Sequence, residues 1–130
     1  MVNNTVFNNR TGAIIHGADR YQFYVETTCP QNDYIANNIL YDNTYNGSPD
    51  NNIWLVGDCK GTGHITKNNL IGINPKFVNY IRTGGGNYHL TSTSPAINAG
   101  IASNAPSTDY DGVSRPQGSA YDIGAYEYRQ

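Results

Sequence analysis

A seven-residue string of the form Asn-Asn-x4-Asn occurs three times in the first 74 residues, and it sets narrow limits on what this chain can become. The copies read Asn3-Asn4-Thr5-Val6-Phe7-Asn8-Asn9, Asn37-Asn38-Ile39-Leu40-Tyr41-Asp42-Asn43 and Asn68-Asn69-Leu70-Ile71-Gly72-Ile73-Asn74, at steps of 34 and 31 residues. The column Val6, Leu40, Ile71 is always aliphatic. The columns beside it are mixed: Thr5, Ile39, Leu70 on one side and Phe7, Tyr41, Gly72 on the other. One uniformly apolar column between variable ones is the pattern of a strand whose alternate residues point inward. Repeats of this length stack side by side, each pairing with the next at about 4.8 Å.

Each repeat carries more than one strand. Gly12-Ala13-Ile14-Ile15-His16-Gly17 follows the first Asn motif, and Asn52-Ile53-Trp54-Leu55-Val56-Gly57 is the matching stretch of the second. Tyr34-Ile35 and His64-Ile65 precede the later Asn pairs. A unit therefore reads strand, turn, strand, turn, short strand. Both long units exceed a minimal coil of roughly 20 residues. The surplus falls in Asp19–Tyr24 and Asn43–Asp50, the expected positions of loops. Asn at a corner can stack amide on amide with Asn in the next unit, pairing groups that would otherwise be buried alone. The val-leu-ile column is expected to form the core, with Asn38 stacked on Asn4 or Asn69. Cys29 and Cys59 lie 30 apart, the offset of Ile35 and Ile65, so the same reasoning stacks them in neighbouring units.

Composition agrees with short strands and tight turns. The chain has 18 Asn, 14 Gly, 11 Thr and 11 Tyr in 130 residues, and few strong helix formers. Asn and Gly tolerate left-handed backbone; Thr and Tyr suit a pleated surface. Charged residues make up 14% and the net charge is −2, without a basic block, which gives no electrostatic footprint for nucleic acid. No apolar run approaches the length of a membrane span. The chain starts Met1-Val2-Asn3-Asn4, without the basic and apolar regions of a signal peptide. Either it stays inside the cell, or a leader or upstream part lies outside this sequence.

From about Pro75 the repeat fades. Gly84-Gly85-Gly86 interrupts regular structure, and then come Tyr88-His89-Leu90, Ser94-Pro95-Ala96-Ile97-Asn98-Ala99-Gly100, Asp109-Tyr110-Asp111-Gly112, Arg115-Pro116 and Asp122-Ile123-Gly124-Ala125-Tyr126-Glu127. This series resembles the C-terminal end of bacterial right-handed parallel β-helix proteins of the pectate-lyase-like superfamily. The resemblance covers about residues 85–128 by motif and 1–80 by repeat pattern. It implies an all-β fold, a right-handed parallel β-helix of about three coils over residues 1–80, with residues 81–130 as an irregular C-terminal cap of the same domain. Members are mostly secreted or surface proteins, many of them polysaccharide lyases, glycosidases or adhesin-like proteins.

Lyases of this kind use a Lys or Arg base, often with Ca²⁺, and the hydrolases use paired carboxylates. Either device needs charged residues recurring in register, and no column here stacks acid on acid. His16, Asp19 and Arg20, with Glu26 nearby, are the best catalytic cluster, since a His and an acid three residues apart can act as base and orienter. The plainer account is a turn residue beside a solvated loop. Asp109 and Asp111 resemble the start of a Ca²⁺ loop but lack its further acids, so a structural role, closing the turn by bonding backbone and Arg115, competes with a bound cation. His64 reads as a surface residue aligned with Tyr34, and His89 as packing or a hydrogen bond. Tyr21, Tyr24, Tyr41, Tyr45 and Trp54 are candidate stacking platforms for an oligosaccharide, or a coating on a thin fold.

The reading that best fits is a non-catalytic module, structural or carbohydrate-associated; the alternative is a fragment of a polysaccharide lyase or glycoside hydrolase acting on acidic glycans. The ring of Val6, Phe7, Ile14 and Ile15 on the first unit invites self-association at that edge. A homodimer or higher closed oligomer joined there, two-fold where dimeric, is the expected assembly.

Overall fold

The computed structural model describes residues 1–9, 14–16, 34–45, 47–49, 53–55 and 65–129. Among them there is no helix, and the fold is all-β with parallel strand pairs. Strands β1 (Thr5–Phe7), β4 (Ile39–Tyr41) and β9 (Leu70–Ile71) are the centres of the three Asn motifs, and they form one parallel sheet in the order β1-β4-β9. The register is Thr5↔Ile39↔Leu70 and Val6↔Leu40↔Ile71, as the repeat steps require. Two further parallel pairs flank it: β2 (Ile14–His16) with β7 (Ile53–Leu55), and β3 (Tyr34–Ala36) with β8 (Ile65–Lys67). The Asn43–Asp50 insertion holds a tight antiparallel pair, β5 (Thr44–Tyr45) with β6 (Ser48–Pro49). β10 (Phe77–Asn79) and β11 (Asn87–Leu90) make an antiparallel hairpin after the last repeat.

The flanking pairs sit one residue away from the sequence alignment. Ile65 pairs with Tyr34, not with Ile35, an offset of 31. Ile53 pairs with Ile14, where matching the two six-residue strings would have set Trp54 there. The Asn corners fix the register of the central sheet, but the loops between corners differ in length, and a one-residue slip is easily hidden there. Cys29 and Cys59, the His64 alignment, and the loop Asp19–Tyr24 lie outside the described residues, and the offset of 30 that set the cysteines together is not the one adopted by the strands that follow them.

Each Asn pair makes a corner by dividing two tasks. The first Asn takes left-handed backbone, with φ of 54° at Asn3, 56° at Asn37 and 49° at Asn68, a region in which Asn is among the few side chains at ease. The second Asn makes the ladder. Asn4 donates its backbone N–H and its Nδ2 to Asn38 Oδ1, both at 3.0 Å, and Asn38 donates the same two groups to Asn69 Oδ1 at 2.9 Å. Asn38 thus stacks on both neighbours. The far corner repeats the device: Asn8 and Asp42 take positive φ, and Asn9 donates twice to Asn43 Oδ1 at 3.1 Å. In the third copy positive φ passes to Gly72, one residue before Ile73, whose branched side chain is unsuited to it.

The sheet carries a core on each face. Leu40 is fully buried with Ile35, packed by Val6 and Ile53. On the opposite face Ile39 and Leu70 pack with Phe77, Leu90, Ala96 and Ile123. The inner column is therefore only partly core: Leu40 is buried and Val6 half-buried, but Ile71, on the last strand of the sheet, is 39% exposed. The column that looked mixed in sequence holds the larger cluster.

That second core exists because the C-terminal segment lies along the side of the stacked strands. It was expected to close their end. Instead its bonds reach all three repeats: Asn3 Nδ2 donates to Asp122 O and Gly124 O, Gly124 N to Asn37 O, Ile101 N to Asn37 Oδ1, and Asn68 Nδ2 to Ala99 O. Gly124 has φ of 99°, and a β-carbon there would stand 2.5 Å from Ile39 Cδ1. Gly124→Ala should therefore lose about 1–3 kcal/mol of stability, seen as a lower urea midpoint at unchanged slope.

Candidate functional site

The tail motif is explained first by structure. Asp109 Oδ1 accepts the backbone N–H of Asp111 (2.9 Å) and of Val113 (2.8 Å), and Oδ2 that of Glu127 (3.0 Å). Both oxygens of this candidate metal ligand are thus engaged, Oδ1 in closing the turn Asp109–Val113 and Oδ2 in tying that turn to Glu127. Arg115 does not reach Asp109. It donates through Nη1 to Glu127 Oε1 at 2.6 Å and through Nη2 to Gly124 O at 2.8 Å, with both charged groups buried. Asp122 accepts from Asn98 N and Tyr128 N, and burial pushes its carboxyl above the usual carboxylate value. Asp109, Asp122 and Glu127 are spent on backbone donors that turns leave unpaired.

Asp111, the other candidate, turns outward. Its Oδ2 lies 2.8 Å from His89 Nε2, and His89 Nδ1 faces Asn87 Oδ1 at 2.6 Å. The His89 ring stacks on Tyr126 with centroids 4.1 Å apart, and Tyr126 meets Tyr110 edge-on at 5.7 Å. Tyr110 is 79% exposed. Strand β11 delivers Asn87 and His89 on one face by alternation. The tight Asp109 turn lifts Tyr110 and Asp111 to the surface. Tyr126 precedes buried Glu127, so extended backbone turns its ring the other way. The result is a row of three aromatic rings bordered by a carboxylate and an amide.

Beside His89 is a hollow of about 260 Å³ that it shares with Asp111 and Arg129. An open groove of about 530 Å³ runs between the first repeat and the tail, past Asn4, Phe7, Tyr88, Tyr110, Arg115 and Tyr126. Phe7 and Tyr88 stack there at 4.7 Å.

The residues singled out in sequence fall elsewhere. Tyr41 is half-buried against Tyr80 in the aromatic packing of the flank, with centroids 5.4 Å apart. Tyr45, Trp54 and His16 are placed on β5, β7 and β2. Tyr21, Tyr24, Asp19, Arg20 and Glu26 lie outside the described residues. Tyr110 and Tyr126 were not anticipated. The signal for them was the alternation Tyr126-Glu127-Tyr128 and the tyrosine held between two acids at Asp109-Tyr110-Asp111.

Among the described residues two phenols, Tyr80 and Tyr126, resist ionisation. Burial raises Tyr80, helped by its hydrogen bond to Asp42 Oδ2 at 2.7 Å. Burial also raises Tyr126, with the Asp111 charge adding to it. The folded state then holds these protons more tightly than the unfolded state does. Their contribution to stability is complete below about pH 10, the ordinary phenol value, and is lost as pH rises through the higher folded values. In an ultraviolet titration Asp42→Asn should advance the onset of tyrosinate, and Tyr126→Phe should remove one late-ionising phenol.

No family model, curated protein or solved structure matches this chain.

Proposed function

We propose that this chain is a right-handed parallel β-helix module of about three coils, acting without catalysis as a structural and carbohydrate-associated binding domain. The observation that carries the reading is the row Tyr110, Tyr126 and His89, with Asp111 and Asn87 beside it. An exposed ring such as Tyr110, backed by the half-buried Tyr126 and His89, can cover the apolar face of a pyranose, and a carboxylate and an amide beside the row can take its hydroxyls. The stacked parallel strands and the Asn ladders support the β-helix.

The lyase or hydrolase reading finds less support. Both ring nitrogens of His89 are taken up by neighbouring side chains, Asn87 and Asp111, so neither is open to a substrate. A glycan array followed by titration calorimetry tests the proposal. A ligand should be found, and Tyr126→Ala or Tyr110→Ala should weaken it about tenfold, the effect of about 1.4 kcal/mol. No bound glycan, or affinity indifferent to both substitutions, refutes it. Release of unsaturated uronates from acidic polysaccharide would establish the lyase instead.

A further inference from the structure

The Asn ladder has a direction, and its two ends are complementary. Every step runs the same way: an Asn of one repeat donates its N–H and Nδ2 to the Oδ1 of the Asn in the next. At the β1 edge this leaves Asn4 Oδ1 as an acceptor with no partner among the described residues, and Asn9 Oδ1 ends its own ladder in the same way. At the β9 edge the backbone N–H of Asn69 is a donor without a partner there, while its Nδ2 is held by Ile35 O at 2.9 Å. The β9 edge is also apolar. Ile65 is 40% exposed, Ile71 39% and Ile73 53%.

We infer that the β9 edge of one chain stacks on the β1 edge of a second copy, head to tail and in parallel. Asn69 N–H then meets Asn4 Oδ1 of the second copy, and Ile71 continues the column onto Val6. The joint repeats contacts already made twice within the chain, between β1 and β4 and between β4 and β9. A two-fold joint at the β1 edge would instead set acceptor against acceptor and leave the isoleucines wet. A heterologous joint of this kind does not close on two chains, so assembly continues to longer stacks.

Two blocked variants of the 130-residue chain test this. Asn4→Lys keeps a donor towards Asn38 Oδ1 but replaces the acceptor with a charge, while Ile71→Lys places a charge on the opposite edge. Sedimentation of the unsubstituted chain should show stacks that lengthen with concentration. Each variant alone should be monomeric, and an equal mixture should give a dimer that grows no further. Near-ultraviolet circular dichroism checks folding, and Asn9→Lys replaces Asn4→Lys should that chain unfold. An unsubstituted chain that stays monomeric to millimolar concentration overturns the inference. So does an Ile71→Lys chain that dimerises alone, which would place the joint at β1 on both copies.

Discussion

Arg115→Ala is expected to cost about 3–5 kcal/mol, enough to unfold a domain of this size under mild conditions. The guanidinium is buried and joins three parts of the tail: Glu127 Oε1, Asp122 O and Gly124 O. Glu127 in turn accepts from Gln117 N and Asp122 N. Removing the cation leaves that carboxylate buried without its countercharge. The deficit should depend on pH. Burial already raises the Asp122 carboxyl, and the Arg115 charge opposes that rise. Without Arg115, folded Asp122 binds its proton still more tightly than the unfolded chain does, so the variant regains stability as pH falls through the acid range. Urea midpoints for both chains from neutral pH downward measure this. A gap that stays constant or widens contradicts it, as does a loss below about 1 kcal/mol, the scale of an exposed ion pair.

Ile39→Ala and Leu40→Ala should each lose about 2–5 kcal/mol, although the two side chains are sequence neighbours on opposite faces of β4. Ile71→Ala, at the exposed end of the same column as Leu40, should lose less than about 0.5 kcal/mol in dilute solution. Chemical denaturation separates the cases. A small effect at Ile39 would mean that the tail does not seal the outer face.

The repeat made the central sheet readable because its corners are chemically distinctive. Left-handed backbone and an amide ladder both demand Asn, so the Asn pairs mark the register from Asn3 to Asn74. Between corners the strands are two or three residues long, too short to reveal which face is buried. Val6, Leu40 and Ile71 looked like the core because all three are aliphatic. Ile39 and Leu70 looked incidental because Thr5 shares their column, yet Thr5 Oγ1 is used to receive Ala125 N. Nothing local to β4 announces that a segment some eighty residues later will cover it. The candidate site was hidden for the same reason. Tyr110, Tyr126 and His89 come from three separate stretches of the tail, and only the fold of that tail, held by Asp109 and Arg115, brings their rings together.

The placement of the tail also bears on the order in which the molecule can form. Pairing between repeats joins residues 34 or 31 positions apart, but Asn3 meets Asp122 and Gly124 across separations of 119 and 121. A topology so dominated by distant pairs folds slowly. On the ribosome, at ~5–20 residues per second, β1 waits on the order of ten seconds for the strand of chain that will cover it. Through much of that interval the face of the sheet carrying Ile39 and Leu70 lacks the part of its cover that Ile123 supplies. A chain cut just before Asp122 would lack Ile123 from that cover and the bonds that Asp122 and Gly124 make to Asn3 and Asn37, so residues 122–130 complete the seal over the sheet.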